Sequence, residues 1–343
     1  MLNLLTARAG GGQLETILAR MARSPRRQIL IAPEQYSHET ERALCRAVGP
    51  AACLRCEVLS FSRLARRVAE AVGGGAEETL DAGGRMLLMY AAVRSVAEHL
   101  TVYRVPSRKP SFLSGLIATV DECKSYQVSP GDLSRTGEEL GGAEGGKLRD
   151  LGLIFGAYEA LTARTAADPR DKLDKLAQRL EDSRWAAGME VWVWGFTDFT
   201  PQEGGVLRAL LGDAHQVTVA LTCDGTDPDP SDLFGPAKRT MAYLARLAES
   251  RGVPVEREQL PVRSDRTESL THLEQALFAP GTDRWEGPCE VDLYTARSPR
   301  SEVERTAAEI LRLVREEGYR FRDIAVCARD FAPYEGVVDS VFR

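Results

Sequence analysis

Two rhythms of apolar and polar positions divide the chain. Leu2–Thr6 is a short apolar run, followed by Arg8 and three glycines, Gly10 to Gly12. Leu14, Ile17, Leu18 and Met21 then recur at helical spacing. Gln28–Ala32 (QILIA) reads as a buried strand closed by Pro33, Tyr36–Val48 as a helix, and Val58–Phe61 as a third strand. Leu64, Val68, Ala71 and Val72 share one helical face. Strand and helix in alternation predict a parallel sheet with covering helices. From Gly84 to about Glu181 the strand signal disappears, and four or five helices are predicted, at about 84–100, 111–127, 130–140, 145–166 and 170–181. Ser129–Pro130 is a good helix start, with Ser as N-cap and Pro in the first turn. Strands return at Glu190–Phe196 and Gln216–Leu221, with a helix opened by Thr200–Pro201 between them. The economical organisation is an all-helical block, 76–185, inserted into an α/β sheet domain formed by 1–75 and 186–285. Thr222–Ser231 is a loop, and helix 236–250, a strand near 253–259 and helix 267–278 follow. Ala279–Pro288 is a candidate boundary. Beyond it, Val291–Ala296, helix 299–317, strand Asp323–Ala328 and helix 333–342 read as the start of a second α/β domain, 286–343. Two strands bury little core, so this domain is expected to be unfinished.

Composition changes this picture in three places. With 343 residues, 43% hydrophobic and 27% charged, the chain is globular and long enough for two or three domains. A net charge of 44 − 50 = −6 excludes nonspecific coating of nucleic acid by overall charge, but not a local basic groove. Six of the 44 basic residues are Lys and 38 are Arg. An Arg-biased genome explains that excess, and so does phosphate and base recognition by a planar fork of donors. No apolar run approaches a membrane span, and no signal peptide precedes the first strand. Seven scattered Cys fit reduced thiols and a cytoplasmic location.

Each candidate motif has a bland reading beside it. A phosphate-binding loop needs G-x-x-x-x-G-K-[ST] between the first strand and helix. The position is occupied by Gly10, Gly11 and Gly12, but the Lys is Gln13 and the hydroxyl residue is Leu14. The acidic pair expected after a core strand is also missing: Val193-Trp194-Gly195-Phe196 places the first acid at Asp198. Mg²⁺ and water activation both lack ligands, so no ATP hydrolysis, catalytic residue or metal is expected, while anion binding by the glycine N–H groups stays open. At Ser60–Arg67 (SFSRLARR), Arg63, Arg66 and Arg67 lie at i, i+3 and i+4 beside Phe61. Exposed, this set suits a single strand, with bases stacked and phosphates paired. Alternatively, it is a solvated basic face over a buried Phe61. Gln35 and Ser37, after the second strand, offer base-edge donors or a capped turn. Phe196 and Phe199, in Trp194–Gln202 (WGFTDFTPQ), stack bases or fill core. Cys53 and Cys56 have CxxC spacing without a second pair, which reads as structural.

The glycine turn, PEQYS, VLSFSRLARRV, WGFTDFTPQE and GYRFRDIAVCAR occur in that order. This series resembles the N-terminal portion of the AddB family, the B subunits of bacterial AddAB-type ATP-dependent helicase–nucleases, along nearly the whole chain. The resemblance implies a superfamily 1 helicase-like fold: a RecA-like core, a helical insertion and a second RecA-like domain. It implies a role in double-strand-break processing beside an AddA-type motor subunit. In that family AddB guides the 3′-ended single strand and recognises Chi without acting as a motor. Carried over by position, Gln35, Ser37, Phe61, Arg63, Arg66 and Phe196 would read the strand, Arg66 standing where relatives can carry Trp. The family's nuclease domain and iron–sulfur cluster are expected only in a C-terminal part outside these residues, so no cofactor is assigned to this fragment. Two rival readings remain: a P-loop NTPase with an atypical loop, and a scaffold for the motor subunit.

Overall fold

The structure, a computed structural model, describes residues 1–49, 54–74, 78–105, 109–225, 233–261, 266–278, 281 and 284–343. It divides into two compact units, Met1–Arg263 and Ser264–Arg343.

The first unit opens with β1 (Leu2–Ala7), α1 (Gln13–Arg23), β2 (Gln28–Ile31), α2 (Ser37–Val48), β3 (Cys56–Leu59) and α3 (Phe61–Val72). Five helices follow: α4 (Ala82–Val96), α5 (Pro110–Ser125), α6 (Pro130–Leu140), α7 (Gly142–Thr165) and α8 (Lys172–Ser183). The chain then returns through β4 (Glu190–Val193), α9 (Pro201–Asp213), β5 (Gln216–Thr222), α10 (Gly235–Glu249) and β6 (Val255–Gln259). The six strands form one all-parallel sheet in the order β3-β2-β4-β5-β1-β6. The α/β class expected from the strand–helix rhythm is therefore present.

Period-2 alternation sends neighbouring side chains to opposite faces. Leu5, Leu30 and Trp192 pack under Ile17 and Leu18 of α1 and Leu44 of α2. Leu4, Ile29, Ile31 and Val191 pack against α3, α8, α9 and α10. One polar tie is buried in this core. Trp192 Nε1 donates to Gln28 Oε1 at 2.9 Å, and Gln28 Nε2 donates to the Met21 carbonyl at 2.8 Å. It fixes the lateral pairing of β2 with β4, because a one-residue slip would separate the two side chains.

The helical block has its own core of Met89, Val93, Leu116, Ile154, Phe155 and Tyr158. Helix α8 does not share it: Leu176 and Leu180 lie in the core of the sheet, although the sequence places this segment inside the insertion. Helices α6 and α7 approach through glycines. A Cβ on Gly137 would stand 2.7 Å from the Gly145 carbonyl oxygen, and one on Gly152 would stand 2.8 Å from that of Pro130. A Cβ on Gly145 would in turn overlap the backbone oxygen of Gly137. Gly145→Ala is therefore expected to destabilise the protein by about 1–3 kcal/mol, against the gain of about 1 kcal/mol that Ala brings to a helix interior. Urea midpoints with an unchanged m-value measure this; a stabilised variant would show that the two helices separate freely.

In the second unit, α11 (Glu268–Ala276), α12 (Pro299–Glu316) and α13 (Val337–Val341) form. Ser298 caps α12 by accepting from the Ser301 N–H at 3.2 Å. The expected strands Val291–Ala296 and Asp323–Ala328 do not form, and among the described residues this unit has no strand. Their composition suits a strand, but a strand exists only through ladder hydrogen bonds with a neighbour. Neither stretch finds one, and all of Val291–Ala296 is exposed. The helix expected at 333–342 is likewise reduced to a short 3₁₀ turn, Ala332–Tyr334, and α13.

Candidate nucleic-acid interface

In an open parallel sheet, ligands bind beyond the carboxyl ends of the strands, where neighbouring connections diverge. The connection leaving β2 runs outward to β3, and the one leaving β4 runs the other way to β5. The turn after Ile31 and the loop after Val193 meet at that point, with the Tyr36 and Trp194 rings 5.9 Å apart. At the neighbouring pair, β1 leads across β5 to β2 and β5 leads across β1 to β6, with α1 and α10 on opposite faces of the sheet, and the glycine turn stands there.

The glycine turn is built, but its polar end is occupied. Gly10 and Gly12 hold φ of 75° and 73°, and Gly12 precedes α1 without a side-chain cap. Gln13 does not extend toward a ligand. Its Nε2 donates to the Leu221 carbonyl at 2.7 Å, tying α1 to the end of β5. Arg8 is drawn to Asp224 at 3.4 Å and lies over the Phe234 ring at 5.7 Å from the centroid. A satisfied amide thus stands where an ATPase places its Lys. Leu14 packs against the core under α1.

Around β2, β3 and β4 the structure separates the expected strand-reading residues. Ser60 caps α3 by accepting from the Arg63 N–H at 3.2 Å. Phe61 is 6% exposed and belongs to the sheet core, so the exposed stacking ring anticipated there is not what forms. The cause is helical geometry: Phe61, Leu64, Ala65 and Val68 make one buried stripe. Phe61 is instead the floor of an aromatic cluster. Phe196 crosses it edge-on with centroids 5.5 Å apart, Phe199 does so at 6.5 Å, and Phe196 and Phe199 are 5.3 Å apart. Both upper rings are packed against the sheet core without being fully buried. Thr200 caps α9 behind them, accepting from the Glu203 N–H at 3.3 Å.

The arginines of α3 differ in what holds them. Arg63 Nη1 donates to Glu41 Oε1 at 2.6 Å. Arg67 is engaged by both oxygens of Glu57 at 3.1 and 3.3 Å, and this bond and charge raise the pKa of its guanidinium further. Glu57 lies near the start of β3, so Arg67 is turned away from the carboxyl edge, contrary to the expectation that groups it with Arg63 and Arg66. Arg66 has 70% of its side chain exposed, with Glu70 at 3.8 Å. Ser37 is 6% exposed and its hydroxyl donates to the Pro33 carbonyl at 3.3 Å, the geometry of the capped turn that is the other reading of this segment. Gln35 is exposed. Gln35, Arg63, Arg66, Phe196 and Phe199 thus remain at or near the edge. Two residues of the PEQYS and WGFTDFTPQ segments, outside the set named as strand-reading residues, stand beside them. Tyr36, 41% exposed, meets the half-buried Trp194 with centroids 5.9 Å apart. Only their position after strands β2 and β4 signalled them.

Cys53 lies outside the described residues. Cys56 is buried in β3 and accepts from Gln28 Nε2 at 3.6 Å. Among the described residues, no group of three or more His, Cys, Asp and Glu gathers as a metal site, and no helix is long and apolar enough to cross a membrane.

Known proteins resemble this chain along most of its length. The family model described as ADDB, N-terminal, matches residues 4–274. The B subunit of the ATP-dependent helicase/deoxyribonuclease of Thermoanaerobacter sp. (strain X514) is 36% identical over 324 residues, covering 92% of this chain and 28% of its own length. Proteins of the same name from Moorella thermoacetica and Heliobacterium modesticaldum are 37% and 35% identical, covering 100% and 99% of this chain. The chain spans less than a third of these relatives, 28% to 32% of their lengths. A match over 4–274 and identities of 35–37% along nearly the whole sequence place this chain in the AddB family, in its N-terminal region.

Proposed function

We propose that this chain is the helicase-like part of an AddB-type protein, with a RecA-like core that binds and guides 3′-ended single-stranded DNA and does not itself hydrolyse ATP. It would work beside an AddA-type motor in a complex that processes double-strand DNA ends and reads Chi. The observation that carries this reading is the carboxyl edge of β2, β3 and β4. There Gln35, Arg63, Arg66 and the Phe196–Phe199 pair lie on one side of the sheet, while Gln13 closes the phosphate loop on the other. Guanidiniums pair with phosphates and aromatic faces accept bases without regard to sequence. The test is fluorescence anisotropy of a labelled 3′-tailed duplex with the chain assembled with its motor partner. Saturable binding that favours the tailed over the blunt duplex supports the reading; equal or absent binding overturns it.

For the phosphate loop, calorimetric titration of the isolated chain with ATP and Mg²⁺ is expected to give no binding heat. A glycine turn without its Lys and hydroxyl holds neither the β/γ-phosphates nor the metal. Micromolar binding that disappears in Gly12→Val would favour the rival reading as an atypical NTPase.

A further inference from the structure

Phe61 is buried and Phe196 and Phe199 are packed against the sheet core, so a more exposed ring on the same edge is the better stacking face. Tyr36 is built for that purpose. Its backbone is locked: Tyr36 N–H donates to the Pro33 carbonyl at 3.0 Å, and the Tyr36 carbonyl accepts from Thr40 Oγ1 at 2.8 Å. Its ring is backed by Trp194, tilted by 57°. The fit between the two loops depends on Gly195, which has φ of 87° and no Cβ; one would stand 3.1 Å from Pro33 Cδ and 3.5 Å from Tyr36 Cδ2. A large aromatic ring thus lies 41% exposed on a hydrogen-bonded turn after β2, beside the loop that leaves β4. Gln35 precedes it, exposed, and Glu34 stands one residue further back. The Glu34 carboxylate repels phosphate, so the backbone of a strand is directed toward Arg63 and Arg66 and its bases toward the ring.

We propose that Tyr36, braced by Trp194, is the stacking face for one base of the bound single strand, with Gln35 beside that base's edge. This rests on the reading of the edge as a single-strand site. A ring that is already ordered loses little freedom when a base stacks on it, and the contact tolerates any base.

The experiment places 2-aminopurine at successive single positions of a 3′ tail, with the chain assembled with its motor partner. One position is expected to be quenched on binding, because stacking on Tyr quenches that base. Tyr36→Leu keeps apolar bulk against Trp194 but has no π face. It is expected to abolish the quenching and weaken tail binding by about tenfold, whereas Tyr36→Phe retains both. If Tyr36→Leu leaves quenching and affinity unchanged while Arg63→Ala with Arg66→Ala weakens binding, Tyr36 is not the stacking face and the DNA-binding reading stands. If the unaltered complex does not bind the tail, both fall.

Discussion

Replacing Asp168 with alanine is expected to destabilise the protein by about 3–5 kcal/mol, the cost of stripping one partner from a buried ion network. Asp168 joins the insertion to the turn before α8. Its side chain has no exposure, and it faces Lys124 Nζ at 3.2 Å and Arg85 Nε at 3.5 Å. It accepts from Tyr158 Oη at 3.1 Å and from the Arg170 N–H at 2.9 Å. Both cations are themselves shielded, with side chains 6% and 10% exposed, and once Asp168 is gone Lys124 keeps its ion pair with Asp171 and Arg85 its pair with Asp121. Asp168→Asn, which keeps size and acceptor but not charge, is expected to lose less. Burial raises the carboxyl's pKa, but the Arg170 N–H, Lys124 and Arg85 outweigh it, so the net displacement is downward. Lys124 moves the other way: burial lowers its pKa, and the bonds and charges of Asp171 and Asp168 overcome that. Burial first, and the Asp168 charge after it, push the Tyr158 hydroxyl up to about 12.

The pH dependence follows. Asp168 contributes stability above its unfolded pKa of about 3.9, and that contribution is lost as pH falls through the lower folded value. Lys124 contributes below its unfolded pKa of about 10.4, and that contribution is lost as pH rises through the higher folded value. Urea midpoints across pH should therefore show a neutral plateau that falls off in acid and again in strong base. In Asp168→Ala the acid limb should be shallower. A variant within about 1 kcal/mol of the parent at neutral pH would mean that the network is electrostatically neutral in its effect on stability.

This network illustrates where sequence reading stops. Arg85, Asp121, Lys124, Tyr158 and Asp168 come from three helices and a turn, and no local spacing joins them. Strands β1, β2, β4 and β5 are legible because their largely apolar runs, such as Ile29–Ile31, are buried on both faces, whereas the edge strand β6 (VEREQ) is mostly exposed. Helix α7 begins at Gly142, three residues before the expected 145, and the lack of side chains at its glycines is what lets α6 approach, a contact that no local spacing shows. The spacing of Arg63, Arg66 and Arg67 correctly gives one side of a helix. It does not show that Glu41 and Glu57, from other elements, claim the first and last of them. Tyr36 is hidden for a related reason: an aromatic in a turn has no period, and its value lies in the partner that a crossover brings beside it.

Those acids set the expected behaviour of the edge toward DNA. Arg63→Ala with Arg66→Ala should weaken binding of a 3′-tailed duplex by about 25-fold at about 0.1 M salt, and should lower the salt slope by about 1.4, since each phosphate contact to a single strand contributes about 0.7 to that slope, or about fivefold at this concentration. Arg67→Ala should leave both unchanged, because Glu57 holds its guanidinium near the start of β3. Glu41→Gln should do the opposite of the double variant. Arg63 is bound to Glu41 at 2.6 Å, and a phosphate must displace that carboxylate before it can pair. Removing the competing charge should strengthen binding severalfold, with little effect on the salt slope, since the number of phosphate contacts stays the same. Titrations of the assembled complex from about 50 to about 300 mM salt separate these outcomes. If the double variant keeps the parent slope, phosphate is not paired on α3. If Arg67→Ala lowers the slope as much as Arg66→Ala, the strand follows α3 toward β3 instead of lying along the carboxyl edge.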